Sequence, residues 1–413
     1  MTLYLYDDAR ARMFEPFALT RPVSELCAGA IVTRRRWATV CGEPVAGTLA
    51  APHLRDFSEL DAPPAVTKII PPRARIANSR FIPVLAAGPA EDVWVCQGRV
   101  AAVRIRRSLD PEALGGGGEL LETLVPPDAR RAEIAGRWVD DVWDYIRDLP
   151  AQLIDDIPRL ATGLSLDGSA ASQATCLGEH PLFVERGAVI EPHTVFDLRN
   201  GPALVRSRAT VQAFTRVVGP CFIGEASSVT ADRIASASIG DHSKVHGELV
   251  VSIVLGYSNK SHDGFVGHSY LGRWVNLGAG TITSNLKNTY GPVQLWTPSG
   301  LRDTGLTFLG AFIGDYARTG IGCRLTTGTV FGAGANFFGV AAPKTVPPFA
   351  WGDGSPFATF ALPKLLEVAE RQMARREVPL TDDARRTLAA AHARAVERTH
   401  DSVSGDAARE RTR

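Results

Sequence analysis

Residues 205 to 229 read VRSRAT VQAFTR VVGPCF IGEASS V, which places Val205, Val211, Val217, Ile223 and Val229 at intervals of six. An α-helix sets its apolar residues 3.6 apart and a half-buried strand sets them two apart, so neither period fits. Six residues suit one side of a triangular coil. Inward aliphatic residues then stack into a column, and small residues at the corners permit tight bends. A β-sandwich with short strands and glycine turns is the alternative, but it calls for alternation within strands and turns every ~8–12 residues.

Downstream the period slips, resumes as Ile239, Val245 and Val251, breaks again, returns as Phe265, Leu271 and Leu277, and then runs Ile313, Thr319, Leu325, Phe331 and Phe337. These positions are read as the inward column. Ile223, Ile239, Leu255, Val266, Leu271, Leu277 and Ile313 are each followed by glycine. The pattern predicts a left-handed parallel β-helix over residues 161–345. The stretch NLKNTYGPVQLWTPSGLRDTGL, from Asn285 to Leu306, is polar, aromatic and off the period, and reads as a loop ejected from one corner.

Residues 1–160 lack the period. They mix short apolar runs (TLYLY, TKIIPP, VWVCQGRVAAVRI) with helix-like stretches around 22–40 and 137–149, which predicts a separate α/β domain. In the third segment, 346–413, prolines close the coil and two amphipathic helices follow, the second capped by Thr381. The last dozen residues are charged and read as disordered.

With 413 residues the chain exceeds one hydrophobic core. A formal net charge of +1 and 22% charged residues give no strong field, so nucleic acid is not an expected partner. No apolar run reaches the ~18 residues of a membrane span, and aspartates follow the first apolar run, so neither a membrane segment nor a signal peptide is predicted. Six cysteines without a C-x-x-C pair read as reduced thiols of a cytoplasmic protein.

Polar chemistry concentrates in NKSHDGFVGHSYLGRWVNLGAGTITSNLKN, residues 259–288. Histidine is the side chain that titrates near neutrality and can take a proton from a nucleophile, while asparagine can donate to a developing oxyanion. Corner histidines and asparagine ladders along a coil explain the same residues structurally. His242, His246, His262 and His268 do not have the spacing of the zinc ligands in trimeric γ-class carbonic anhydrases, and no metal site is predicted. Asp7, Asp8, Arg10, Arg12, Thr20 and Arg21 can form a nucleotide or sugar-phosphate site, or simply an acidic turn with helix capping. GGGG at 115–118 follows no strand and precedes no Lys-Ser or Lys-Thr, so it reads as a surface loop.

The segment HDGFVGHSYLGRWVNLGAGTITSN resembles the acetyltransferase active-site segment of the bifunctional N-acetylglucosamine-1-phosphate uridyltransferase and glucosamine-1-phosphate acetyltransferase family. It follows H-x-x-[YF]-[LV]-G-x-x-x-[IL]-G-x-x-V-N-[IL]-G-A-G-T-I-T-x-N without a gap. The resemblance implies His262 as catalytic base, Asn276 and Asn285 as catalytic-site asparagines, and Glu248 as an acidic residue one rung earlier. Phe265 stands where that family has tyrosine, and Val250 and Val251 stand where it has lysines, leaving Lys260 and Lys287 as the nearby cations. It further implies a homotrimer with acetyl-CoA lying in clefts between coils, and Arg318, Lys344 and Lys364 are the candidate contacts to coenzyme phosphates.

Three segments together, DDARARMFEPFALTRPVSEL, GYSNKSHDGFVGHSYLGRWVNLGAGT and PPFAWG, resemble a divergent bacterial branch of sugar nucleotidyltransferases across nearly the whole chain. The ordinary nucleotidyltransferase loop, L-A-A-G-x-G-T-R-M, is replaced by LYLYDDARARMFEP, which has no glycine. The expectation is acetyl-CoA-dependent N-acetylation of an aminosugar 1-phosphate such as glucosamine-1-phosphate. Coupling to nucleotidyl transfer from UTP or dTTP, with Mg²⁺, applies if Asp7, Asp8, Arg12 and Arg21 form an active site. The alternative is a decayed sugar-nucleotide-binding or assembly module.

Overall fold

The computed structural model describes residues 2–410, with side chains through Arg398. Six strands form the N-terminal sheet: β1 (Leu3–Tyr6), β2 (Val45–Leu49), β3 (Arg75–Asn78), β4 (Val93–Cys96), β5 (Arg99–Arg104) and β6 (Arg131–Glu133). Their order is β2-β1-β3-β5-β4-β6, with β1 parallel to both neighbours and β5 antiparallel to its own. Helix α1 (Thr33–Cys41) packs Trp37 and Val40 on this sheet, and Gly42 closes it in the left-handed conformation at φ 69°. Helix α2 (Leu149–Ala161) leads out of the domain.

The chain then winds as the left-handed parallel β-helix that the six-residue period predicts, with strands from Thr175–Leu177 to Ala350–Gly352. The last of these strands lies beyond 345, past the prolines expected to end the coil. One side carries nine parallel strands from Leu182–Val184 to Thr345–Val346. Val205, Ile223, Ile239, Val254, Leu271, Ile313 and Phe331 point inward along it, and Val211, Val217 and Val229 fill the other two sides. Two positions on the period do not join this column. Leu249 and Val254 are core where Val251 was expected, and Val266 is core in place of Phe265. Successive rungs from Val229 to Val245 and on to residue 260 use fewer than eighteen residues, so a strict count of six drifts onto the outer face.

The inward residue at 260 is a lysine. Only 3% exposed, Lys260 sends its ammonium to the corner, donating to the carbonyls of His246 (2.5 Å) and His262 (3.0 Å). Burial pushes it down to about 8.

The outer face of the nine-stranded side is apolar too. Leu204, Phe222, Ile253, Tyr270, Phe312 and Val330 form one core with Phe14, Phe17, Leu26, Tyr145, Ile146 and Leu149 of the N-terminal domain. Phe17 lies 4.5 Å from Tyr270 between ring centroids, and the Tyr270 hydroxyl donates to Cys27 O at 3.1 Å. Each such side chain contributes roughly 1.5–3 kcal/mol on burial. A buried ionic knot fixes the register: Arg21 pairs with both Asp315 (2.8 Å) and Glu59 (2.7 Å), and Trp274 Nε1 donates to Glu59 at 2.8 Å. Burial opposes ionisation of Glu59, yet the Arg21 and Arg273 charges hold its carboxyl down to about 2.

The segment expected as an ejected loop is an antiparallel hairpin, Gln294–Thr297 with Gly300–Asp303. It leaves the coil toward the N-terminal domain, burying Val293 and Leu295 in the shared core and setting Arg302 over the Trp143 ring at 5.0 Å. Helices α3 (Leu362–Ala374) and α4 (Asp382–Glu410) follow the coil. Thr381 Oγ1 accepts from Ala384 N at 3.2 Å, the expected cap. Both helices cover one corner, where Trp274 and Tyr316 pack with Met373 and Leu388. The expected disordered tail concerns residues traced as helix backbone through Glu410 or lying outside the described ones. No helix among the described residues is long and apolar enough to cross a membrane. All six cysteines are free; Cys27, Cys96, Cys221 and Cys323 are buried.

Candidate functional site

On the side of the coil that starts under α3, register partners stack outward-facing residues into a ladder: Lys244, Asn259, Asn276 and Arg318. Asn259 Nδ2 donates to Asn276 Oδ1 at 3.4 Å. The C-terminal end of α3 roofs this ladder. Arg376 donates to Asn259 Oδ1 at 2.7 Å, and Gln372 Nε2 donates to Trp274 O at 2.5 Å. Arg318 donates to Tyr316 O at 3.1 Å and to the Gln372 side chain, and burial pushes it down to about 10.

Between ladder and roof lies a cavity of about 300 Å³ whose walls include His262, Asn276, Lys244, Tyr257, Arg375 and Arg376. Its lining contains cations and amides and no carboxylate. His262 stands on the corner at the cavity mouth, exposed, and its imidazole makes no hydrogen bond among the described residues. The turn it occupies depends on Gly264: φ is 126°, and a Cβ there would sit 2.3 Å from Thr281 O.

The remaining family-implied residues lie on the next side of the coil. Glu248 and Phe265 are register partners there, and Arg233 pairs with Glu248 at 3.3 Å. Asn285 Nδ2 bonds His268 Nδ1 at 2.8 Å, and His268 stacks on Phe308 at 5.4 Å. Burial pushes the His268 imidazole down to about 4, so it is neutral at physiological pH. The chain thus brings His262 and Asn276 together, and sets Asn285, His268 and Phe265 apart across the corner.

The candidate coenzyme contacts do not converge. Lys364 pairs on the helix surface with Glu367 at 2.8 Å and Lys344 donates to Thr327 O; Lys287, the substrate-side candidate, donates to Pro292 O. Arg318 lies beneath α3. The cations that do line the cavity, Lys244, Arg375 and Arg376, were not among the sequence candidates. Lys244 precedes Asn259 on the ladder and was findable from register. Arg375 and Arg376 come from the turn that ends α3, which the coil period cannot place.

At the carboxyl end of β1, Asp8 is closed by Arg80 (2.6 Å) and Asn78 (2.9 Å); burial opposes ionisation, but Arg80 holds its carboxyl below the usual range. Asp7 is buried and accepts from Val23 N at 2.8 Å, and burial pushes its carboxyl up to about 6. Arg12 donates to Asp7 O (3.0 Å) and Gly115 O (2.6 Å). Arg21 is fully engaged in the interdomain knot. Among the described residues, no group of three or more His, Cys, Asp or Glu side chains is placed to hold a metal ion.

Residues 3–165 match the family model for sugar nucleotidyl transferases. A stretch of 91 residues is 34% identical to a bifunctional sugar-1-phosphate nucleotidylyltransferase/acetyltransferase of Sulfurisphaera tokodaii, covering 22% of this chain and 23% of that protein. The family match spans the N-terminal α/β domain and ends before the first strand of the coil.

Proposed function

We propose that the coil transfers an acetyl group from acetyl-CoA to the amine of an aminosugar 1-phosphate, with glucosamine-1-phosphate as the reference acceptor. One observation carries this reading: an unbonded imidazole, His262, shares a cation-lined, carboxylate-free cavity with Asn276. Such a lining suits a phosphate-bearing acceptor or coenzyme, because Lys and Arg form charge-assisted bonds with phosphate oxygens. The amine nitrogen attacks the thioester carbonyl, the new C–N bond forms, and the C–S bond breaks. His262 takes the amine proton and passes it to the departing thiolate, while the Asn276 amide, in the same cavity, donates to the oxyanion. No covalent enzyme intermediate is needed.

Glu248, Phe265 and Asn285 enter this scheme from the next side, facing away from the cavity's ladder. A homotrimer, the assembly implied by the resemblance, supplies a second coil against which one side of a neighbour completes the site. Phe265 offers an apolar ring where a hydroxyl is expected, which argues for an acceptor contacted less by hydrogen bonds at that point.

For the N-terminal domain, the family match supports sugar nucleotidyl transfer, and this reading takes UTP or dTTP as donor and the same sugar 1-phosphate as acceptor. The ion pairing of Asp8 and the loss of the glycine loop favour the other reading, a domain that binds sugar nucleotides without turning them over. Asp8 is neutralised by Arg80 and Asp7 lies beneath Val23, so these two carboxylates do not fit a magnesium site as they stand.

Coenzyme A release from acetyl-CoA and glucosamine-1-phosphate tests the coil, and pyrophosphate release in a parallel reaction with UTP and Mg²⁺ tests the first domain. Release by wild type that His262→Ala abolishes supports the acetyltransferase. No release by wild type removes this acceptor.

A further inference from the structure

A second cation-rich cavity, of about 270 Å³, lies far along the sequence from the coil ladder, where α4 crosses the N-terminal domain. Its walls include Arg12, His53, Gly115, Gly116, Arg394 and Arg398. It opens at the carboxyl ends of β1 and β2, the edge of an open α/β sheet where ligands bind. Residues 115–118, which read as a mere surface loop in sequence, are tied down here. Ala9 N donates to Gly117 O at 2.6 Å, Tyr6 Oη donates to Glu119 O at 2.8 Å, and the Arg12 guanidinium holds Gly115 O and Leu114 O. The exposed Gly116 N–H makes no hydrogen bond among the described residues, and the space beside its Cα is open.

The charges around this cavity do not cancel. Three arginines face one carboxylate, Glu15, and Arg398 already pairs with it. Arg12 spends its donors on backbone carbonyls. Arg394 makes no hydrogen bond or ion pair among the described residues, and partial burial and then its neighbour Arg398 push it below its ordinary value against the pull of Glu15 and Glu397, so an added anion would relieve its repulsion from Arg398. His53 donates or accepts through Nε2 at Leu19 O, 3.0 Å away, while its buried Nδ1 has no partner.

We propose that this cavity is a phosphate-binding site shared by the N-terminal domain and the C-terminal helix, in which Arg394 and the Gly116 N–H are the free donors. Its ligand is the phosphate group of a nucleotide or of a sugar phosphate. The C-terminal helix would then supply, from more than 270 residues away in sequence, cationic groups to a domain whose own phosphate loop lacks glycine. The site is independent of acetyl transfer on the coil.

Isothermal titration of the full-length protein with inorganic pyrophosphate, UTP and glucosamine-1-phosphate tests it. Wild type should bind at least one probe; tightest binding of UTP identifies a nucleotide site, and tightest binding of glucosamine-1-phosphate that persists in Arg376→Ala, which lacks the phosphate donor of the coil cavity, identifies a sugar-phosphate site. Arg394→Glu should weaken that binding by roughly 10- to 100-fold, the worth of a charged hydrogen bond, and Arg394→Lys should restore most of it. Arg394 is exposed, and an unchanged melting temperature in both variants separates lost binding from lost folding. Absence of binding to wild type, or equal binding by Arg394→Glu, overturns the proposal.

Discussion

Two sides of the same coil, built on the same period, have opposite fates. On the nine-stranded side the residue next to the inward one is apolar as well except at Ser238 and Thr345, so Leu204, Phe222, Ile253, Tyr270, Phe312 and Val330 seal against the N-terminal domain. On the ladder side that neighbour is polar: Lys244, Asn259 and Asn276 remain at a cavity under α3, and Arg318 continues the ladder beyond it. The inward residue makes the coil; its neighbour decides whether a side becomes an interface or a site.

Substitutions that treat the two sides differently can break this contrast. His262→Ala removes the proposed base from the ladder side and should lower kcat of acetyl transfer by roughly 10²–10⁴-fold. Because the side chain is exposed, the melting temperature should not move; a variant that melts early would make His262 a structural residue. Asp315→Ala attacks the sealed side. It strands Arg21 beside a single partner in a dry interface, and denaturant titration should show a loss of about 3–5 kcal/mol. Retained stability would mean the apolar contacts alone fix the domain.

Lys260 tests the inward column. Its ammonium is depressed from the ordinary 10.5 to about 8, so between those values the unfolded chain binds a proton that the folded chain does not. Stability from this group therefore rises with pH across that window, by about 1.4 kcal/mol per unit at most. Comparing chemical denaturation at pH 7.5 and 9.5, the rise should be absent from Lys260→Met; parallel behaviour of the two proteins would refute a depressed lysine. Arg376→Ala is the mildest change. Losing one phosphate donor at the roof should raise KM for the phosphate-bearing substrate by roughly 10-fold with kcat nearly kept, since one charged hydrogen bond is worth ~1.5–3 kcal/mol less the gain of solvent access.

The coil was legible because its signal is local: a period, glycines after aliphatics, and Thr381 at a helix start. The shortfall at Val251 and Phe265 has a physical cause, since corners that shed residues shift the count while the strands stay in register. His262 and Asn276 were legible through one continuous motif. Their roof was not, because Arg375 and Arg376 reach the cavity only once α3 folds back over the corner. The apolar outer face of the nine-stranded side was also in plain view as paired apolar residues, such as Tyr270 beside Leu271 and Phe312 beside Ile313, but a period of six directs attention to one member of each pair.

A solenoid held only by neighbouring rungs loses structure from its ends inward, one turn after another. This one is splinted. The N-terminal domain lies along rungs from Leu204 to Val330, and α4 runs from the Trp274 corner to Glu15 of the first domain. Unwinding that starts at either end must break this sealed core as soon as it reaches the splinted rungs. The array should therefore melt in a single sharp transition rather than unzip, and a nick in the link before α4 should blunt that transition even with every rung intact.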